Sequence, residues 1–149
     1  MPPRILVVDD ERSIADSVAE IIRRAGYEVR TAYTGPGAVS AAGSFDPNLL
    51  RTDVLMPGMN GFELALQVKQ TYPSCRLVLF SGQAATAALA QRFAREFTSR
   101  GYNFPLFPSQ SIRPGCWKSC RNRLLKQGDK VSLQLGGDII LEHLHASLA

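Results

Sequence analysis

Residues 53–61 read DVLMPGMNG, and a second acidic pair, Asp9-Asp10, directly follows the apolar run Ile5–Val8. If two neighbouring parallel strands end at these points, the carboxylates meet at the carboxyl edge of the sheet, where open α/β folds place their ligands. Carboxylates that close repel one another unless they share a proton or a hard cation, and an all-oxygen site with room for water suits Mg²⁺. The sequence therefore predicts a magnesium site made by Asp9, Asp10 and Asp53. A carboxylate beside bound Mg²⁺ can also accept a phosphoryl group.

Apolar runs alternate with helical patterns along the chain, which is typical of a parallel sheet covered by helices. The predicted strands are residues 4–8, 28–32, 48–53, 76–80 and 103–107. The predicted helices are residues 13–25, a short weak helix after the Gly-Pro-Gly of residues 35–37, a helix from residue 62 to 72, and residues 84–100. The pattern indicates one α/β domain.

Three motifs resemble the response regulator receiver domains of two-component signalling: VVDDE at 7–11, DVLMPGMNG at 53–61 and LVLFSG at 77–82. They occur in the order and at the spacing of that family, and the resemblance covers residues 4–107. It implies a flavodoxin-like, doubly wound sheet of five parallel strands in the order 2-1-3-4-5, as in chemotaxis-type receivers. Residues 1–107 would form the receiver core. Residues 108–149 would form a divergent C-terminal segment, with an atypical or disordered last helix.

The resemblance also implies roles for single residues. Asp53 would be the phosphoacceptor, Asp10 a direct Mg²⁺ ligand, Asp9 a ligand mostly through water, and the Leu55 backbone carbonyl a further ligand. The Ser81 hydroxyl would hydrogen-bond a phosphoryl oxygen. Plainer readings exist: an aspartate before a helix can be a cap, and a serine at a strand end can satisfy a turn. The phosphoryl donor would be a phosphohistidine.

One expected residue is missing. Receivers carry a lysine just after strand five, whose ammonium pairs with the acceptor carboxylate and then with the phosphoryl group. Here residues 107–113 read FPSQSIR, and the sequence has no lysine between Lys69 and Lys118. Serine or glutamine cannot replace a point charge. The sequence therefore predicts weaker phosphoryl stabilisation and a weaker shape change.

The genetic code suggests a hypothesis for this gap. Residues 108–113, PSQSIR, can be encoded so that a start two nucleotides later reads Lys-Pro-Ile-His-Pro, the motif that the family would place here. Under this hypothesis the segment 108–149 is the product of an altered reading frame and was not selected to pack on the sheet.

Two function classes follow. The first is a phosphoacceptor receiver, not an enzyme acting on other substrates, whose partners are a histidine kinase or phosphotransfer protein and a downstream protein. The alternative is a non-switching, receiver-like interaction module, impaired because the lysine is absent. DNA binding is disfavoured. Residues 73–149 carry 10 Lys and Arg against 4 Asp and Glu, yet no helix-turn-helix pattern accompanies these charges.

Bulk properties agree with one small domain. A chain of 149 residues with 45% apolar residues can bury one ordinary core. No apolar run reaches the roughly 18–20 residues of a membrane span, and no signal peptide precedes the first strand. An odd number of cysteines, 3, fits a reducing compartment, so we expect a cytoplasmic protein without a membrane partner. A homodimer is left open.

Overall fold

The apolar runs form the strands of one parallel sheet, and the helices cover both of its faces. A computed structural model describes residues 1–81, 87–101 and 131–135. In chain order the elements are β1 (Arg4–Val8), α1 (Arg12–Arg24), β2 (Glu28–Ala32), α2 (Gly35–Phe45), β3 (Leu49–Asp53), α3 (Gly61–Thr71), β4 (Arg76–Ser81), α4 (Ala87–Ser99) and β5 (Val131–Leu135). The strand order is β2-β1-β3-β4-β5, as predicted.

The two central strands, β1 and β3, are buried on both faces, which explains the apolar run Ile5–Val8 of β1, whereas β3 also buries the polar residues Arg51 and Thr52. Successive side chains alternate between the faces. Leu6 and Leu50 pack in the core beneath α2, α3 and α4, whereas Ile5, Val7 and Leu49 pack in the core beneath α1. A shift of register by one residue would exchange these two sets.

Helix α1 packs on the sheet through a narrow face of small and branched residues. Its buried residues are Ala15, Val18, Ala19 and Ile22. Two further apolar residues of the helix, Ile14 and Ile21, are each 40% exposed. These two isoleucines therefore lie at the margins of the face that packs on the sheet.

Helices α2 and α3 begin at local caps that the sequence encodes. The Thr34 hydroxyl accepts a hydrogen bond from the Gly37 amide at 3.1 Å. At α3 the Asn60 side chain accepts from the Glu63 amide, and the Glu63 carboxylate accepts from the Asn60 amide, both at 3.0 Å. This reciprocal capping box satisfies two amides that a helix N-terminus otherwise leaves unpaired. It therefore fixes the point at which the chain leaves the loop after β3.

The fifth strand corrects one prediction. Residues 103–107 lie outside the described residues, and the strand that pairs with β4 is Val131–Leu135, with Ser81 level with Leu135. The sequence VSLQL alternates apolar and polar residues, which is typical of an edge strand. The predicted segment contains Pro105, which has no amide to donate to a sheet.

Helix α4 completes the core on the side of α3. The rings of Phe62 and Phe93 stack with centroids 4.8 Å apart, and Phe97 is fully buried beside them. Within the part of the chain that the structure describes, no helix has the length and apolarity needed to span a membrane.

Candidate functional site

Asp53 is the last residue of β3 and lies at the carboxyl edge of the sheet. Its side chain is half-buried, and its Oδ1 accepts a hydrogen bond from the Val54 amide at 2.9 Å. The Val54 amide also lies 2.9 Å from the Phe80 carbonyl of β4. The Asp53 carboxylate is therefore held where the chain passes from β3 into the following loop.

Asp9 and Asp10 follow β1 at the same edge. Asp9 is buried, and its Oδ1 accepts from the Glu11 amide at 3.1 Å, just before α1 begins. The Asp9 amide donates to the Ala32 carbonyl of β2 at 3.2 Å. Asp10 is exposed. Asp9 is thus held by hydrogen bonds to the backbone, whereas Asp10 is exposed to solvent.

Strand pairing brings the three carboxylates together. β1 and β3 are parallel neighbours with Val8 level with Thr52, so Asp9 and Asp53 follow at adjacent positions. Carboxylate oxygens of Asp9, Asp10 and Asp53 all lie within 4.8 Å of one another. An all-oxygen set with one buried, one half-buried and one exposed member has the chemistry to hold a hard cation and to leave coordination positions for water. The predicted cluster is therefore present as a geometric unit.

The electrostatics of the cluster show the strain of unpaired negative charge. The pKa of Asp53 is raised to about 6, mainly by burial and then by the neighbouring Asp9 charge, while the hydrogen bond from the Val54 amide and the charge of Arg51 lower it. Burial is also the main cause that raises the pKa of Asp9. Both shifts mean that folding disfavours the charged form of these carboxyls relative to the unfolded chain, and a bound cation would offset this cost.

For two further predicted site residues, Leu55 and Ser81, the structure gives the position in the fold but no contact of the predicted ligand atom. Leu55 lies in the loop after β3 with a side chain 40% exposed, and no contact of its carbonyl is defined. Ser81 ends β4, beside the end of β3, but its side chain lies outside the described part of the chain. Both residues stand at the correct edge of the sheet, and their roles remain predictions.

Arg51 is a charged residue of the site that was not among the predicted site residues. This residue lies two positions before Asp53 on β3 and is 7% exposed. Its positive charge lowers the pKa of both Asp9 and Asp53, against the effect of burial. The available signal was a single cation inside the apolar strand LLRTD, on the face that alternation assigns to Asp53.

Asp53 should make stability depend on pH. Its pKa is about 6 in the folded chain against an ordinary 3.8, so the folded state binds more protons between these values. Stability is therefore expected to fall as pH rises from about 4 to about 6, by about 1–2 kcal/mol once solvent screening of this half-buried group is allowed for. Urea unfolding in chelator-containing buffer measures it. Asp53→Asn should be the more stable protein at pH 7 and should lose this part of the slope; identical slopes in both proteins would contradict the assignment.

Comparison with known proteins agrees with this geometry. A sequence model of the response regulator receiver domain matches residues 5–98. The nitrogen assimilation regulatory protein NtrX of Azorhizobium caulinodans is 35% identical over 105 residues, which are 66% of this chain and 23% of that relative. The match thus spans about a quarter of the relative's length.

Solved structures show the same likeness. The response regulator TrrA of Thermotoga maritima, in complex with Mg(2+)-BeF, is 31% identical with a TM-score of 0.54, over 58% of this chain and 75% of that one. The chemotaxis response regulator CheY4 of Vibrio cholerae is 28% identical with a TM-score of 0.56, over 64% and 80% of the two chains. The chain belongs to the response regulator receiver domain family, a class of signalling domain found in two-component systems.

Proposed function

We propose that this chain accepts a phosphoryl group on Asp53 from a phosphohistidine of a histidine kinase or phosphotransfer protein. The observation that carries the proposal is the convergence of three carboxylates at the carboxyl edge of the sheet, with Asp53 at the end of its central strand. The relative TrrA, whose structure contains Mg(2+)-BeF, is consistent with this chemistry.

Asp9, Asp10, Asp53 and the Leu55 carbonyl would hold Mg²⁺, which when bound neutralises charge on the phosphoryl oxygens. An Asp53 carboxylate oxygen forms the new bond to phosphorus as the bond from phosphorus to the imidazole nitrogen breaks. The electron pair stays on that nitrogen, and the product is an acyl phosphate. Asp9, fixed by the Glu11 amide, keeps the cluster in place, and the Ser81 hydroxyl would donate to a phosphoryl oxygen.

The biological setting follows from the family. A phosphorylated receiver passes its state to a downstream protein, and we propose a cytoplasmic setting without a membrane partner. Neither DNA binding nor a homodimer gains support from the described residues. The alternative of a non-switching interaction module rests on the absence of a lysine between Lys69 and Lys118, and no feature of the described residues adds to it.

Acetyl phosphate provides the direct test, because it donates a phosphoryl group without a kinase and releases acetate. We expect the intact protein with Mg²⁺ to gain the mass of one phosphoryl group, and Asp53→Asn to gain none. Asp46→Asn is the matched control, since Asp46 is an exposed aspartate that pairs with Arg4 away from the cluster, and it should be modified like the wild type. Modification of Asp53→Asn, or none of the wild type, would overturn the proposal.

A further inference from the structure

Arg51 is a buried cation on the same face of the sheet as the acceptor carboxylate. It occupies β3 level with Val78 of β4 and is 7% exposed. Alternation along the strand directs it to the side of Asp53 rather than to the side of Leu50 and Thr52. A guanidinium in such a place loses most of its hydration, which is costly unless other groups compensate.

The guanidinium extends toward the site. Its Cζ lies 4.2 Å from the centroid of the Phe80 ring, and Phe80 is the residue of β4 that is level with Asp53. The side chain therefore runs forward along the sheet, from the level of Val78 toward the carboxyl edge. The ring face gives the cation a partial substitute for water. The charges that act on it are those of Asp9 and Asp53.

Part of this guanidinium is unused. Nε and Nη1 are buried, and among the described residues neither has a hydrogen-bond partner. Nor does the described part of the chain contain an ion pair of Arg51 within 4.0 Å. A buried donor without an acceptor destabilises a fold, so its presence beside the acidic cluster points to an oxygen ligand that arrives from outside.

We propose that Arg51 supplies, from β3, the positive charge that the family draws from a lysine after strand five, and that it binds a phosphoryl oxygen at Asp53. The proposal rests on the function proposed above. It accounts for a sequence with no lysine between Lys69 and Lys118. A guanidinium is suited to the role because it stays charged when buried and presents several donors to one anion.

The positive charge of Arg51 should weaken the binding of Mg²⁺ and strengthen the binding of a phosphoryl group. A fixed cation beside the carboxylates opposes Mg²⁺ and favours an anion at the same place. Arg51→Met removes the charge while keeping an unbranched side chain over Phe80. We expect Mg²⁺ affinity to rise roughly three- to tenfold and phosphorylation by acetyl phosphate, at saturating Mg²⁺, to slow about tenfold, as for loss of one nearby charge in a medium of intermediate dielectric. Arg51→Lys should keep both values within about threefold of the wild type.

Arg30→Met is the matched control. Arg30 also lies on a strand with its Cζ over a phenylalanine ring, 4.8 Å from the Phe45 centroid, but it lies on β2 and is exposed. Arg30→Met should change neither the affinity for Mg²⁺ nor the rate of phosphorylation. Calorimetry measures Mg²⁺ binding, mass spectrometry measures phosphorylation, and urea unfolding shows that each variant is folded.

These measurements distinguish failure of the role proposed for Arg51 from failure of the proposed function. Unchanged Mg²⁺ affinity and unchanged phosphorylation in folded Arg51→Met, or losses of both in parallel, would overturn the role of Arg51. Failure of the wild type to accept a phosphoryl group would overturn the proposed function and, with it, the phosphoryl contact of Arg51. The Mg²⁺ comparison would then still report whether its charge acts on the cluster.

Discussion

Replacing Gly61 with alanine should destabilise the protein by about 3 kcal/mol or more, because the new atom meets backbone rather than a movable side chain. A Cβ at Gly61 would lie 2.0 Å from the Asp53 carbonyl oxygen and 2.9 Å from the Val54 Cα. The Gly61 amide also donates to the Val54 carbonyl at 2.9 Å, so the start of α3 is held against the end of β3. Relief of the clash requires these two segments to separate.

Urea unfolding measures this effect, and Gly43→Ala is its control. Outside α2 itself, the one atom of the described residues within 4 Å of a Cβ at Gly43 would be the Tyr72 hydroxyl oxygen, at 3.8 Å. That variant should be more stable by about 0.5–1 kcal/mol, because alanine loses less backbone entropy than glycine in a helix. Equal stability of Gly61→Ala and the wild type would show that the two segments separate without cost.

Asp10→Ala should weaken Mg²⁺ binding about a hundredfold, since ligand charge is a main determinant of affinity at oxygen sites. Asp10 is the exposed member of the cluster, so its removal leaves the core intact. In the absence of metal the variant should be at least as stable as the wild type, because one source of repulsion is gone.

Calorimetric titration with Mg²⁺ tests this expectation, with Glu11→Gln as the control. Glu11 is an exposed carboxylate next in the sequence, but it does not belong to the group of three. Its neutralisation should lower affinity by less than about threefold, through screened long-range charge alone. Similar losses in both variants would mean that general negative charge attracts the ion and that Asp10 is not a ligand.

Physical reasons explain which elements could be predicted. The bounds of β1 and β2 were predicted as observed, and those of β3 and β4 to within one residue. The clearest signals were the apolar runs of β1 and β4, which are typical of strands with neighbours on both sides. The acidic cluster was predictable as well, since parallel strands end at one edge. The fifth strand was misplaced because an edge strand needs only alternate apolar residues, a weak signal in a segment without a family motif.

Arg51 shows what a linear pattern cannot supply. The role of a cation in a strand can be inferred only when the face on which it lies, its level on the sheet and its neighbours are known. Phe80, which is 29 residues away along the chain, is level with Asp53 only after β3 and β4 have paired. Likewise, the interpretation of residues 108–149 as a frame-altered segment stays a prediction, since only Val131–Leu135 of that segment is described.

The acidic cluster also couples ion binding to folding. Asp9 and Asp53 come from strands far apart in sequence, and their carboxylates converge only when β1 and β3 are paired. An unfolded chain therefore has no such site, and any cation that binds it selectively stabilises the native state by mass action. Each tenfold rise in free cation above its Kd adds about 1.4 kcal/mol. The ion that prepares the domain for signalling would thus also act as its folding ligand, and depletion of that ion would lower the fraction of folded receiver before any phosphoryl group arrives.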